Sequence, residues 1–211
     1  MKYQAVIFDL DGVICHTDKY HYLAWKQMAD DLNIHFDEEI NNRLRGVSRM
    51  ESLEIILEGS SRTFSDAEKE KLAAEKNERY VNLLGEMTAA DLSGEVWETL
   101  EQLRGKGLKL AIGSSSRNAK LILGRLGLKD YFEAVSDGTN IAKSKPNPEV
   151  FLKAAEFLHI EPDKCLVVED AKAGIEAAKN GGFDSAGIGE AAASKDVTYA
   201  ISSFGDLLKI V

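Results

Sequence analysis

Apolar residues recur with two different periods along this chain, and the two periods divide it. Ala5-Val6-Ile7-Phe8 is an unbroken apolar run that stops at an aspartate, the pattern of a strand buried on both faces. From residue 92 onward such runs alternate with helical spacing. Val96, Trp97, Leu100 and Leu103 share a helical face ahead of a stop at Gly107. Leu108 to Gly113 predicts a strand, 118–126 a helix closed by Gly127, and Phe132 to Val135 a further strand. Glu149 to Leu158 predicts a helix, Cys165 to Val168 a buried strand, Ala171 to Lys179 a helix, and Ser185 to Ile188 a short strand. Strand and helix in alternation predict an α/β fold, a parallel sheet flanked by helices.

Thr17 to Ala90 behaves differently, with helical patterns and no convincing strand. Two Ser-x-x-Glu boxes, Ser48 to Glu51 and Ser65 to Glu68, mark helix starts. Thr17 or Asp18 can cap an earlier helix, in which Leu23, Ala24, Met28 and Leu32 fall at helical spacing. The economical description is an all-helical insertion after the first strand. It divides the chain into a core of residues 1–15 and 92–211 and a helical domain of residues 16–91.

Composition narrows the functional classes. The 211 residues carry 26 Lys and Arg against 35 Asp and Glu, a net charge of −9. An acidic surface of that size argues against nucleic acid or a membrane surface as the bulk partner, since both demand a basic face. Two cysteines, Cys15 and Cys165, without C-x-x-C spacing predict reduced packing residues. The first apolar run is too short and too soon charged for a signal peptide, and no segment approaches the ~18 apolar residues of a membrane span. A cytoplasmic protein is expected, and nothing in the sequence requires more than a monomer.

Four polar clusters stand at predicted strand ends. Asp9-Leu10-Asp11-Gly12 follows the first strand, where open α/β sheets bind ligands. An ordinary Asp-Gly turn accounts for the same residues. Glu169-Asp170 ends another buried strand; adjacent carboxylates raise each other's pKa unless a cation intervenes, and hard oxygen donors suit Mg²⁺. A helix N-cap at Asp170 is the alternative. Gly113-Ser114-Ser115-Ser116-Arg117-Asn118 offers hydroxyls and N–H groups at a helix start, a phosphate cradle or simply a loop. Lys145-Pro146 sets a lysine before a rigid residue, although a single lysine is more often a solvated charge.

Taken in order, these clusters resemble the four motifs of the haloacid dehalogenase-like superfamily, over essentially the whole chain. The helical insertion, through Thr17 to Trp25, Arg45 to Leu53 and Lys76-Asn77, resembles the branch that interconverts β-D-glucose 1-phosphate and glucose 6-phosphate through a bisphosphate. The resemblance implies a Rossmann-like core with a mobile helical cap. It implies Asp9 as the nucleophile that becomes an aspartyl phosphate and Asp11 as general acid/base, with Thr17 and His21 contacting that acid. Lys145 and Ser114 are implied to stabilise the transferring group, beside Mg²⁺ held by Asp9, the Asp11 main chain, Glu169 and Asp170. The distal phosphate falls to Arg49 with Ser116, Arg117 and Asn118. Trp25, Arg45, Gly46, Val47, Ser48, Ser52, Lys76 and Ser115 complete the expected contacts to a small phosphosugar. The same motifs serve phosphatases that release the phosphoryl group to water, the competing expectation. One departure stands out: the family commonly has an acidic residue before the threonine, and this chain has His16.

Overall fold

A computed structural model describes residues 2–44 and 47–211. Six parallel strands form one sheet in the order β3-β2-β1-β4-β5-β6. They are β1 (Ala5–Phe8), β2 (Lys109–Gly113), β3 (Ala134–Ser136), β4 (Cys165–Glu169), β5 (Asp184–Gly187) and β6 (Tyr199–Ala200). Helices α5 (Gly94–Gly105), α6 (Ala119–Arg125), α7 (Glu149–Leu158) and α8 (Lys172–Asn180) flank it. Along β1, side chains alternate between two apolar layers as strand geometry requires. Val6 and Phe8 join Leu100 and Leu103 of α5 and Ile122 and Leu123 of α6. Ala5 and Ile7 face the other way, against Val150, Phe151 and Ala154 of α7 and Ala177 and Ala178 of α8.

Register does the positioning. Phe8 pairs with Ile112 of β2 and Val168 of β4, so the next residues along, Asp9, Gly113 and Glu169, stand side by side at the carboxyl edge. The Asp9 N–H donates to the Val168 carbonyl at 2.9 Å, which ties the turn after β1 to that edge.

Between β1 and α5 lie α1 (Asp18–Asp31), α2 (Glu38–Asn42), α3 (Arg49–Leu57) and α4 (Asp66–Leu83). Both predicted capping boxes form, at Ser48 with Glu51 and at Ser65 with Glu68. Thr17 occupies the N-cap position of α1 but its side chain caps nothing. This segment has its own apolar cluster, including Trp25, Met28, Phe36, Leu53 and Ile56. Its near end does not: Tyr20, Ala24, Tyr80 and Leu84 pack into the sheet's layer, so apolar contact runs through the junction. The third strand starts at Ala134 and the fifth at Asp184, and β6 was not anticipated. Two edge residues are too few to show a period.

Candidate active site

The strand ends and the helical segment enclose a cavity of about 630 Å³. At its floor the Lys145 ammonium, 2% exposed, donates to the carboxylates of Asp9 and Glu169, the latter at 2.5 Å. The other Glu169 oxygen accepts from the Ala171 N–H at 2.9 Å, so both its oxygens are engaged within the protein. Burial pushes the Asp9 pKa well up; Lys145 pulls it down, and the charges of Glu169 and Asp170 add to the rise. Burial opposes the charge on Lys145, yet the two carboxylates outweigh it and its pKa is raised.

Two glycines make room for this arrangement. Gly12 has φ +88°, and a Cβ there would lie 2.1 Å from Asp170 Oδ2. A Cβ on Gly174, in the first turn of α8, would lie 1.9 Å from the Glu169 carboxyl carbon.

Asp11, two residues after Asp9, projects toward the helical segment. The Thr17 hydroxyl donates to its carboxylate. Burial pushes Asp11 up to about 6, against the pull of Thr17. A carboxyl with that pKa is still partly protonated near neutrality and can give a proton to a leaving oxygen. His21 bonds elsewhere than Asp11: its Nδ1 lies 2.9 Å from Lys76 Nζ, and its ring stacks on Tyr80 at 3.9 Å between centroids. With the ammonium as donor, Nδ1 accepts and the ring proton sits on Nε2. Burial, then the charges of Lys76 and Arg49, hold His21 well below its usual pKa and keep it neutral. His16 is exposed, and the groups acting on Asp11 are Thr17, Asp18, Lys145 and Lys76 instead.

Lys76 is 2% exposed and rests over the rings of Trp25 at 4.3 Å and Tyr80 at 4.8 Å. Burial, then the charge of Arg49, pushes it down to about 7. In the unfolded chain it keeps its proton to about 10.5, so its cost to folding is full below pH 7 and fades between 7 and 10.5. Lys76→Met therefore stabilises the free protein at pH 6, by at most about 4–5 kcal/mol at ~1.36 kcal/mol per unit, and the gain vanishes near pH 10.5. Urea unfolding at the two pH values checks this; an equal gain at both refutes it.

Across the cavity, Arg49 at the start of α3 and Arg117 in the loop after β2 sense each other's charge; burial and then Arg117 lower the Arg49 pKa. Among the described residues neither has a carboxylate within ion-pair distance. The Ser loop is held by its own hydroxyls: Ser114 Oγ accepts from the Ser116 N–H at 3.1 Å, and Ser116 Oγ from the Asn118 N–H at 3.2 Å. Ser115 Oγ is buried on the cavity wall with no hydrogen-bond partner among the described residues. Gly138 permits this fold-back, since a Cβ would stand 2.5 Å from the Ser115 carbonyl oxygen. Val47, Ser48 and Ser52 line the same cavity, Ser48 while also capping α3. Trp25 lines it and is also core. Arg45 and Gly46 fall outside the described residues.

Sequence reasoning missed Tyr80 and Asn77 as wall residues. Tyr80 is detectable in retrospect, one helical turn after Lys76 on the same face of α4. Asn77 belongs to the Lys76-Asn77 pair that carries the resemblance, but that resemblance assigns it no role.

Comparison with known proteins agrees with this geometry. The haloacid dehalogenase-like hydrolase family model matches residues 3–182. β-Phosphoglucomutase of Bacillus subtilis is 46% identical over 189 residues, covering 89% of this chain and 84% of that one. A phosphorylated carbohydrates phosphatase of Thermotoga maritima is 34% identical, covering 86% and 82%. The crystal structure of β-phosphoglucomutase from Clostridium difficile superposes with a TM-score of 0.91 at 38% identity, covering 97% of this chain and 93% of that one. A family match across most of the length, with the four strand-end clusters meeting in one cavity, places the chain in the haloacid dehalogenase-like hydrolase family.

Proposed function

We propose that this protein interconverts β-D-glucose 1-phosphate and glucose 6-phosphate through a bisphosphorylated sugar and a phosphorylated Asp9. The observation that carries the reading is one cavity with cationic side chains at two ends. Lys145 serves the Asp9 end; Arg49, Arg117, Ser116 and Asn118 serve the other. A phosphatase acting on a monophosphate needs the first end alone, whereas a sugar carrying two phosphates needs both. The 46% identity to a β-phosphoglucomutase supports the same reading.

Relation to this family goes with a divalent metal, and the donor set fits one. Asp9 lies beside two further carboxylates, Glu169 and Asp170, that oppose its ionisation. Among the described residues no three His, Cys, Asp or Glu side chains form a ready metal cage. The hard carboxylate oxygens of Asp9 and Asp170 suit Mg²⁺, which binds through one or two carboxylates and keeps waters and phosphate oxygens as its other ligands. The Asp9 and Asp170 carboxylates and the Asp11 main-chain oxygen would hold it, with Glu169 supporting through Lys145. Bound there, Mg²⁺ supplies positive charge to the phosphoryl oxygens.

In the reaction, an Asp9 carboxylate oxygen bonds to phosphorus while the bond from phosphorus to the leaving sugar oxygen breaks. Asp11 gives that oxygen its proton, and takes one back from the attacking sugar hydroxyl in the return step. Lys145 and Ser114 offset charge on the transferring group. Arg49 grips the distal phosphate with its planar fork. Lys76, held by His21 and Trp25, and Ser52 face the sugar. The helical segment acts as a cap that opens so that the bisphosphate can turn round. We read the enzyme as a cytoplasmic monomer acting on a small phosphosugar; among the described residues, no helix is long and apolar enough to cross a membrane.

The test supplies β-glucose 1-phosphate, Mg²⁺ and a trace of glucose 1,6-bisphosphate. Glucose 6-phosphate forming without matching inorganic phosphate is the expected outcome. Stoichiometric phosphate release with no isomerisation overturns the reading in favour of a phosphatase.

A further inference from the structure

Asn77 lies on α4 next to Lys76, and its side-chain oxygen has two partners. Arg49 Nη2 donates to it at 2.8 Å and Asn118 Nδ2 at 2.9 Å. A carbonyl oxygen has two lone pairs, so this acceptor is filled. The donors come from opposite sides of the cavity: Arg49 begins α3 in the helical segment, and Asn118 stands at the N-cap position of α6 beside the sheet. Since the Asn118 side chain makes no capping bond, its amide is left to reach across. Two donors so close to one oxygen lie within about 6 Å of each other, the spacing at which both can reach one phosphate group. The facing Arg117 brings a second guanidinium charge to the same wall.

We infer that Asn77 is a positioning residue that couples closure of the helical cap to assembly of the distal phosphate site. Its oxygen holds Arg49 and Asn118 together, so the site exists only while the cap is down, and an anion bound there in turn holds the cap down. Closure and distal-phosphate affinity are then two sides of one equilibrium. A merely structural Asn77 would support α4 and leave both untouched. The inference rests on the mutase reading for the identity of the anion, and its geometry stands apart from that reading.

The test compares the full chain with Asn77→Ala and Asn77→Asp. Paired spin labels on the exposed faces of α4 and α7 report the cap-to-core distance, with thermal unfolding run beside them. In Asn77→Ala the free protein shifts toward longer distances, and KM for β-glucose 1,6-bisphosphate rises about tenfold, the scale of a lost hydrogen bond to a charged group. Turnover of p-nitrophenyl phosphate, which has no distal phosphate, falls less than turnover of the bisphosphate, because Asp9 and Lys145 are untouched. Asn77→Asp keeps both acceptor bonds and adds a negative charge. Its distance distribution stays short while its affinity for the bisphosphate falls at least as far as in Asn77→Ala.

Unchanged distances and an unchanged KM in Asn77→Ala overturn the inference, as does a loss of melting temperature with neither. If the bisphosphate proves not to be an intermediate, the distance shift still decides the matter, with inorganic phosphate in place of the sugar as the probe of closure. No narrowing of the native distance distribution on adding phosphate, or the same narrowing in Asn77→Ala, then refutes the coupling.

Discussion

Asp9→Asn stops turnover, by about 10⁴-fold or more, the scale on which loss of a covalent nucleophile acts. The amide nitrogen is no nucleophile, and the amide oxygen has too little charge to attack phosphorus. The substitution is otherwise gentle. Asn keeps an oxygen that accepts from Lys145, and Lys145 retains its ion pair with Glu169, so the protein stays folded. Incubation with labelled sugar bisphosphate followed by hydroxylamine separates the possibilities. Native protein yields a hydroxylamine-labile phosphate and the variant yields none; a labile phosphate in the variant sinks Asp9 as nucleophile.

Lys145→Met produces the largest loss of stability, because it leaves two buried carboxylates facing each other without their cation. Breaking a buried pair by removing one partner costs about 3–5 kcal/mol at neutral pH. The sign of the pH dependence follows from what remains. Without Lys145, the pull that lowers the Asp9 pKa is gone and burial holds it further above its unfolded value, so the penalty is full above the folded pKa and fades as acid protonates Asp9. The deficit against the native protein, measured by urea unfolding in the presence of a chelator, therefore shrinks from pH 7 to pH 5. A deficit that is constant or grows toward pH 5 contradicts the assignment. Catalysis does not return at pH 5, since protonated Asp9 is no nucleophile and the phosphoryl charge has lost Lys145.

Much of this site is local in sequence, and that is why it was legible. Asp9 and Asp11 lie two residues apart just after a buried strand, and Glu169-Asp170 ends the strand paired with it. The polar clusters therefore mark the catalytic edge before any coordinates are known. The capping boxes of α3 and α4 are likewise four-residue patterns. What was not legible depends on how the helical segment docks. His21 meets Lys76 across 55 positions and Asn118 meets Asn77 across 41, and no periodicity encodes either distance. Thr17 shows the competition most clearly: its side chain is suited to capping α1, and Asp11 takes it instead. The resemblance placed both Thr17 and His21 on Asp11, whereas His21 turns to Lys76.

Burial under the cap also makes the proton affinity of Asp11 a mechanical quantity. Thr17 begins the helix that the cap carries, and the burial that lifts Asp11 to about 6 comes from the walls of the closed cavity. When the cap swings away, water returns to Asp11 and its pKa falls toward the ordinary ~3.9 of a solvated aspartate. On the proposed mechanism the acid is thus armed by closing and disarmed by opening. Transfer from a sugar to Asp9 is therefore confined to the closed enzyme, because only there does Asp11 hold the proton that the leaving oxygen takes.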